Sequence, residues 1–345
     1  MAVLLLLMIS QTVQAAVILQ YHHVSNETPE STSISPQQFE AHLQYLADNH
    51  FNVVPLSELM NSILKKQPLK DKTVAITFDD AYLDILTQGK PILDKFNYPF
   101  TIFINPNIVE RGGHGYLNWL QLKAMADEGV IIANHGLEHD SIARLVDASK
   151  PNEWREKLTG DLLTSEKIIE EKTGQSWRYF AYPYGEFTPE IQAWLKKNDF
   201  IAFSQQSGAV SLATDLTNVP RFPASKPYDK ISSLRDKLYS LPFTVSLNSQ
   251  HAQTIYPQET LKSVTFNIVI DDFKQSQLNC YVSGLGKQKV EWQNETSFTI
   301  NFNKTLPTGR VRCNCTAPSI SQPGRYYWYS KPWFILTKDK QWYAL

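Results

Sequence analysis

The chain has 345 residues, 42% of them hydrophobic, which is long for one average domain and apolar enough for a full core. Lysine and arginine number 33 against 34 aspartates and glutamates, and no basic stripe breaks that balance. A net charge near −1 excludes an electrostatic nucleic-acid binder as the leading reading.

The chain opens on an apolar run, residues 1–9, followed by Val13-Gln14-Ala15, a relaxed A-x-A cleavage pattern. Residues 1–15 read as a secretory signal peptide without the usual basic start, so export to the periplasm or the cell exterior is expected. The run is too short for an ordinary transmembrane helix, and no later segment qualifies. Residues 17–24, VILQYHHV, form an apolar strand ending in His22 and His23. Residues 35–46 read as a capped helix feeding a strand at 51–56. The β-branched run Val74-Ala75-Ile76-Thr77-Phe78 predicts a buried strand that delivers Asp79 and Asp80 at its C-terminal end.

Strand 100–104 and helix 119–128 come next, then strand 129–133, which runs into Asn134-His135 and, four residues on, His139. A longer amphipathic helix over 152–172 carries Leu158, Leu162, Ile168 and Ile169, and Gly174 stops it. Strand–helix alternation from Ala16 to about Tyr239 predicts an α/β fold with parallel strands. After about Leu241 the period changes to two. Val264, Phe266, Ile268 and Ile270 alternate with polar residues, as do Phe298, Ile300 and Phe302, and Val311, Cys313 and Cys315, which predicts a small all-β sandwich.

In parallel α/β folds, ligands bind at the C-terminal ends of the strands, where the loops converge. An Asp-Asp pair alone is most often a solvated strand end, and an HxxxH pair is weak by itself. Together, each at the end of an apolar strand, they supply one carboxylate and two imidazoles, the usual donor set of a catalytic divalent metal with an open position. The other aspartate is then left to act as a base.

Thr77-Phe78-Asp79-Asp80, His135-x-x-x-His139 and Phe180-Ala181-Tyr182-Pro183-Tyr184-Gly185, in that order, resemble the motifs of the polysaccharide deacetylase (NodB-homology) family. The likeness runs from about Val17 to about Ala224. It implies a deformed (β/α) barrel of NodB type and a metal-dependent enzyme that removes N-acetyl or O-acetyl groups from glycans. By position it makes Asp79 the general base, and Asp80, His135 and His139 the metal ligands. The opening Tyr21-His22-His23 segment resembles the circularly permuted branch, which includes poly-N-acetylglucosamine de-N-acetylases. There the general acid comes from the first strand, which makes His22 the candidate and His23 its competitor. His251, with no apolar strand before it, fits a late acid motif poorly.

Two departures stand out. The third motif of classical members carries an arginine that orients the base, and Ala181 stands there. Either Arg221, in Val219-Pro220-Arg221-Phe222-Pro223, reaches in, or something else holds Asp79. The second is Gly136, where many members carry Ser or Thr.

The chemistry asks for the same parts. Amide hydrolysis needs an activated water, a held oxyanion and a proton for the departing amine. Asp79, a backbone N–H near Tyr184 and protonated His22 would supply these beside the metal. The mixed Asp/His set suits Zn²⁺ and is compatible with Co²⁺, Ni²⁺ and Mn²⁺. Tyr184, and less so Tyr182 and Trp119, could face sugar rings, although aromatics near strand ends are as often core.

The expected organisation is a signal peptide at 1–15, a deacetylase barrel at 16–240 and a β-sandwich accessory domain at 241–345. The expected activity is removal of N-acetyl groups from an acetylated polysaccharide, an N-acetylglucosamine polymer by resemblance. An O-acetyl esterase and a non-catalytic glycan-binding protein are the alternatives. The aromatic end of the chain (Tyr326 to Tyr329 and Trp333) could contact glycan, with core packing the commoner use. Cys280 and Cys313 could bridge in an oxidising compartment or stay buried thiols, and the odd count leaves at least one of the three cysteines unpaired.

Overall fold

A computed structural model of the chain describes residues 15–345 apart from 148 and 271. The expected signal peptide thus lies outside the described residues except for Ala15.

One curled sheet of eight short strands, all pairs parallel, forms a half-barrel. Its path runs Phe222–Pro223, Ala16–Tyr21, Thr73–Asp79, Thr101–Ile104, Ile131–Asn134, Tyr179–Ala181 and Ile201–Phe203, with Asn52–Val53 also paired to Thr73–Asp79. Every residue of Ala16–Tyr21 and of Thr73–Asp79 is buried, as expected where helices and loops cover both faces of a parallel sheet. Alternation sorts their side chains. Val17, Leu19 and Tyr21 join one apolar cluster, and Ala16 and Ile18 join another with Ala75, Phe103, Ala133 and Ala181 on the opposite face. Gln20, Thr77 and Asp79 continue that second face toward the strand ends.

The three helices read from the sequence begin and end within about two residues of the expected bounds. The strand expected over 51–56 is only Asn52–Val53, because Leu56 already opens the helix Leu56–Leu64. Ser35 caps Pro36–Asp48 by accepting from the Gln38 N–H at 3.1 Å. Asn118 and Gln121 make a reciprocal capping box at the start of Trp119–Asp127. Pro151–Thr173 ends on Gly174 in the left-handed region (φ 79°), where a side chain would be strained.

Beyond the barrel the strands are mostly antiparallel and lie in two further sheets. The larger contains Asn279–Val282, Gly309–Pro318 and Tyr326–Leu336; the smaller contains Ser263–Ile268 and Ser297–Asn301. Their facing side chains share one core, with Phe266 against Tyr329 and Phe302 against Trp333. The opposite face of Tyr326–Leu336 covers the barrel. Trp328 meets Phe222 edge-on at 5.3 Å, and Phe334 meets Phe187 at 6.0 Å. Tyr327 and Trp333 are therefore core, and Tyr326 is the exposed member of the aromatic run.

Cys280 is bonded to Cys315, not to Cys313. Register decides this. Cys280 lies directly opposite Cys315 across the antiparallel pair, while Cys313 faces Val282 and stays a buried thiol.

Candidate metal and catalytic site

Asp79 and Asp80 follow one another but point to different partners, because Asp79 still belongs to the strand and Asp80 has left it. Asp80 takes a left-handed backbone (φ 76°), as do His139 (φ 61°) and Tyr184 (φ 58°). Non-glycine residues in that region cost about 1–3 kcal/mol each and cluster where function demands a geometry.

The Asp80 turn brings its Oδ1 within 3.3 Å of both His135 Nε2 and His139 Nε2. The three donor atoms all lie within 4.8 Å of one another. His135 is wholly buried, and its Nδ1 donates to the Ala181 carbonyl at 2.8 Å. That bond places the ring proton on Nδ1 and leaves Nε2 as a lone pair. Asp80 Oδ1 and His135 Nε2 have no hydrogen-bond partner among the described residues. Two buried acceptor atoms facing each other can hold a cation between them, and one carboxylate with two imidazoles suits a divalent one. Burial alone would raise the Asp80 carboxyl, but the imidazoles beside it, His135 first, hold it well below the usual range. Burial, with His135 beside it, pushes His139 down to about 4, so its ring is neutral and able to ligate near neutral pH. Asn105 steadies the loop by donating to the His135 and Gly136 carbonyls at 2.5 and 3.0 Å.

Asp79 is fully buried and clamped. Arg221, itself fully buried, donates to Asp79 Oδ1 at 2.7 Å and to Oδ2 at 2.8 Å. Its Nε donates to the Ser204 carbonyl and its Nη1 also reaches Thr77 Oγ1, so the fork is fixed on three sides. Gln20 Nε2 adds a bond to Asp79 Oδ2 at 2.7 Å. Burial would raise Asp79, yet Arg221 outweighs it and keeps the carboxyl ionised. The guanidinium thus sits against Asp79 although it comes from a strand end remote in sequence from Ala181. The place of Ala181 is taken by its backbone oxygen, which orients His135.

The two candidate histidines separate cleanly. His22 Nε2 lies 3.9 Å from Asp79 Oδ2, and its side chain remains 19% exposed. Burial pushes its imidazole down, while Asp79 and Asp80 pull it back up. His23 Nδ1 instead meets Asp84 Oδ2 at 2.6 Å, and its ring stacks on Tyr82 at 3.5 Å. The half-buried Tyr184 ring stands edge-on to His139 at 4.6 Å. Tyr182 is core, its hydroxyl donating to the Thr217 carbonyl, and Trp119 donates to Glu110 on the outer helices, so neither presents a face at the strand ends.

Gln20, Asn105 and the Ala181 carbonyl are parts of the site that motif reading passes over. Gln20 had a signal: it is two residues before His22 and so shares its face of the strand.

A curled parallel barrel whose strand ends gather a clamped carboxylate, an imidazole and a three-donor cluster has the layout of an enzyme, with its site at the end such folds use. Residues 66–202 match the family model for polysaccharide deacetylase. The protein YxkH of Bacillus subtilis (strain 168) is 27% identical over 195 residues, 56% of this chain and 66% of that one. A poly-beta-1,6-N-acetyl-D-glucosamine N-deacetylase of Staphylococcus epidermidis is 25% identical over 235 residues, 61% of this chain and 79% of its own. The Streptococcus pyogenes deacetylase PplD, solved in complex with acetate, shares the fold. Its TM-score is 0.59 at 21% identity, over 66% of this chain and 99% of that one. The chain is thus similar, over residues 66–202, to the polysaccharide deacetylase family. Among the described residues, no helix is long and apolar enough to cross a membrane.

Proposed function

We propose that this protein hydrolyses N-acetyl groups on an N-acetylglucosamine polymer of the cell envelope or exterior, releasing acetate, with a divalent cation at Asp80, His135 and His139. The polymer is suggested by the named activity of the Staphylococcus epidermidis relative. In this reading residues 16–240 form the catalytic domain, 241–345 an accessory domain, and 1–15 a signal peptide for export. The observation that carries it is the pair of partnerless donor atoms, Asp80 Oδ1 and His135 Nε2, set beside an Arg-clamped Asp79.

A bound divalent cation, Zn²⁺ by donor type and Co²⁺, Ni²⁺ or Mn²⁺ by compatibility, polarises the amide carbonyl and lowers the pKa of water. Asp79, held ionised by Arg221 and Gln20, accepts the proton of the attacking water. The fork and the amide fix its carboxylate plane, so it is ordered before substrate arrives. Oδ2 also faces His22, which gives the two groups a short path for exchanging a proton. His22, protonated at Nε2, donates to the departing amine, which would otherwise leave poorly. A backbone N–H near Tyr184 helps to hold the oxyanion, and the Tyr184 ring offers a flat face to the sugar.

The test is acetate release from N-acetylglucosamine oligomers by metal-stripped protein, with and without added Zn²⁺ or Co²⁺, beside Asp79→Asn. The expected result is cation-dependent acetate that drops by a factor of about 10² or more in the variant. Folded, metal-loaded protein that releases none would overturn the N-acetyl reading and direct the assay to O-acetylated glycans.

A further inference from the structure

The C-terminal sheet does more than cover the barrel: it reaches the rim of the candidate site. Gly309–Pro318 alternates, with Val311, Cys313 and Cys315 buried in the sandwich core. Arg310 and Arg312, two residues apart, therefore share the other face. On the neighbouring strand they lie opposite Phe334 and Pro332, the side from which Phe334 meets the barrel residue Phe187. Both arginines line a small cleft with Tyr184, Gln205 and Gln206, residues of the loops that follow two barrel strands. Arg310 Nη1 donates to the Tyr184 carbonyl at 3.1 Å, which ties this sheet to the loop standing beside His139.

Arg312 is the unusual member. Its guanidinium makes no ion pair and no side-chain hydrogen bond among the described residues, although the residue is half-buried. The charged and titratable groups that act on it are Arg310, a like charge, and the Tyr228 phenol. The carboxylate nearest in sequence to Tyr184, Glu186, is already taken. It accepts from Arg144 at 3.0 and 3.2 Å, from Ser141 and from the Tyr343 hydroxyl. Two guanidinium groups from one strand face are like charges that an anion would bridge, and a guanidinium fork is shaped for carboxylate and phosphate oxygens. A glycan lying past Tyr184 would carry its neighbouring sugars over this cleft.

We propose that Arg310 and Arg312 form a subsite for an anionic substituent, a carboxylate or a phosphate, on a sugar of the glycan chain beyond the one that is deacetylated. The proposal rests on the deacetylase reading, and the experiment separates the two. Acetate release by the full-length protein is measured on three substrates: neutral N-acetylglucosamine oligomers, oligomers alternating N-acetylglucosamine with glucuronate, and N-acetylglucosamine oligomers bearing a phosphate ester. Turnover of the neutral oligomer tests the deacetylase reading alone.

The subsite predicts a higher kcat/KM on one anionic substrate, and which arm responds identifies the anion. It further predicts that Arg312→Gln lowers the anionic-to-neutral ratio about tenfold, with partial retention in Arg312→Lys and a preference that fades at high salt. A ratio that Arg312→Gln leaves unchanged, or a wild-type protein with no anionic preference, overturns the subsite while leaving the deacetylase intact. If no substrate is turned over, calorimetric titration with the two anionic oligomers decides. Weaker binding by Arg312→Gln than by wild type supports the subsite, and equal binding overturns it.

Discussion

At the scale of single residues, the site is organised around groups that cannot be left alone. Asp79 has no exposed surface and gives both oxygens to Arg221. Arg221→Ala would leave that carboxylate charged and unpaired in the core, a change that costs about 3–5 kcal/mol and should appear as a lower urea midpoint. Arg221→Lys keeps the charge but not the fork, so it should retain most of the stability and lose kcat with little change in KM. Similar stability for wild type and Arg221→Ala would show that Asp79 is not held as described. Asn105 acts one step further out. Asn105→Ala frees the His135 and Gly136 carbonyls and should weaken cation binding about 10–100-fold, read by competition with a chelating dye. Unchanged affinity would mean that the loop positions His135 without it.

Among the elements, the segment from Tyr182 to Phe187 carries the tightest constraint. Gly185 has φ 69°, and a Cβ there would sit 2.8 Å from Gln205 Cβ. The clash is with the base of a side chain, which cannot swing aside, so the Tyr184 loop must shift. Gly185→Ala is expected to cost about 1–3 kcal/mol and to slow turnover, seen together in a thermal melt and in kcat. A melt that moves with kcat unchanged would separate the loop's stability from its part in the site. Other elements follow local rules plainly. The apolar run at 74–78 had to be a buried strand, and Ser35, Asn118 and Gly174 end their helices by capping chemistry that is local to the chain.

In the whole molecule, ammonium groups are buried in both the barrel and the C-terminal sheets. Lys331 is buried, with its Nζ donating to the Ala252 carbonyl at 2.8 Å, and burial pushes its pKa down to about 7. Lys237 is likewise pushed down to about 7 beneath the Tyr228 ring. An unfolded lysine titrates near about 10.4, so between roughly pH 7 and 10 the unfolded chain binds more protons than the folded one. Stability from these groups therefore rises with pH across that window, and the full penalty is present below about pH 7. Lys331→Met should remove part of the slope. Urea midpoints at about pH 7 and about pH 9 should differ less in the variant than in wild type, by about 1–3 kcal/mol. Parallel slopes would mean that Lys331 stays hydrated.

Local pattern determined the parallel α/β sheet, the change to period-two strands after it, the helix caps and the residues of the candidate metal cluster. Each of those signals lies within a few residues: an apolar run, a capping side chain, an adjacent carboxylate pair, two histidines four apart. The anchoring of Asp79 was legible only as a choice, because Arg221 lies 142 residues away and nothing local says which guanidinium closes on a buried carboxylate. The same holds for His22 against His23, adjacent in the chain and parted only by Asp84 and Tyr82 arriving from another strand end. Cysteine pairing waited on register, since a shift of two residues along one strand exchanges Cys313 for Cys315. Tertiary structure alone set Arg310 and Arg312 beside Tyr184, because how the second unit docks depends on long-range packing of Trp328 and Phe334, which no short-range pattern encodes.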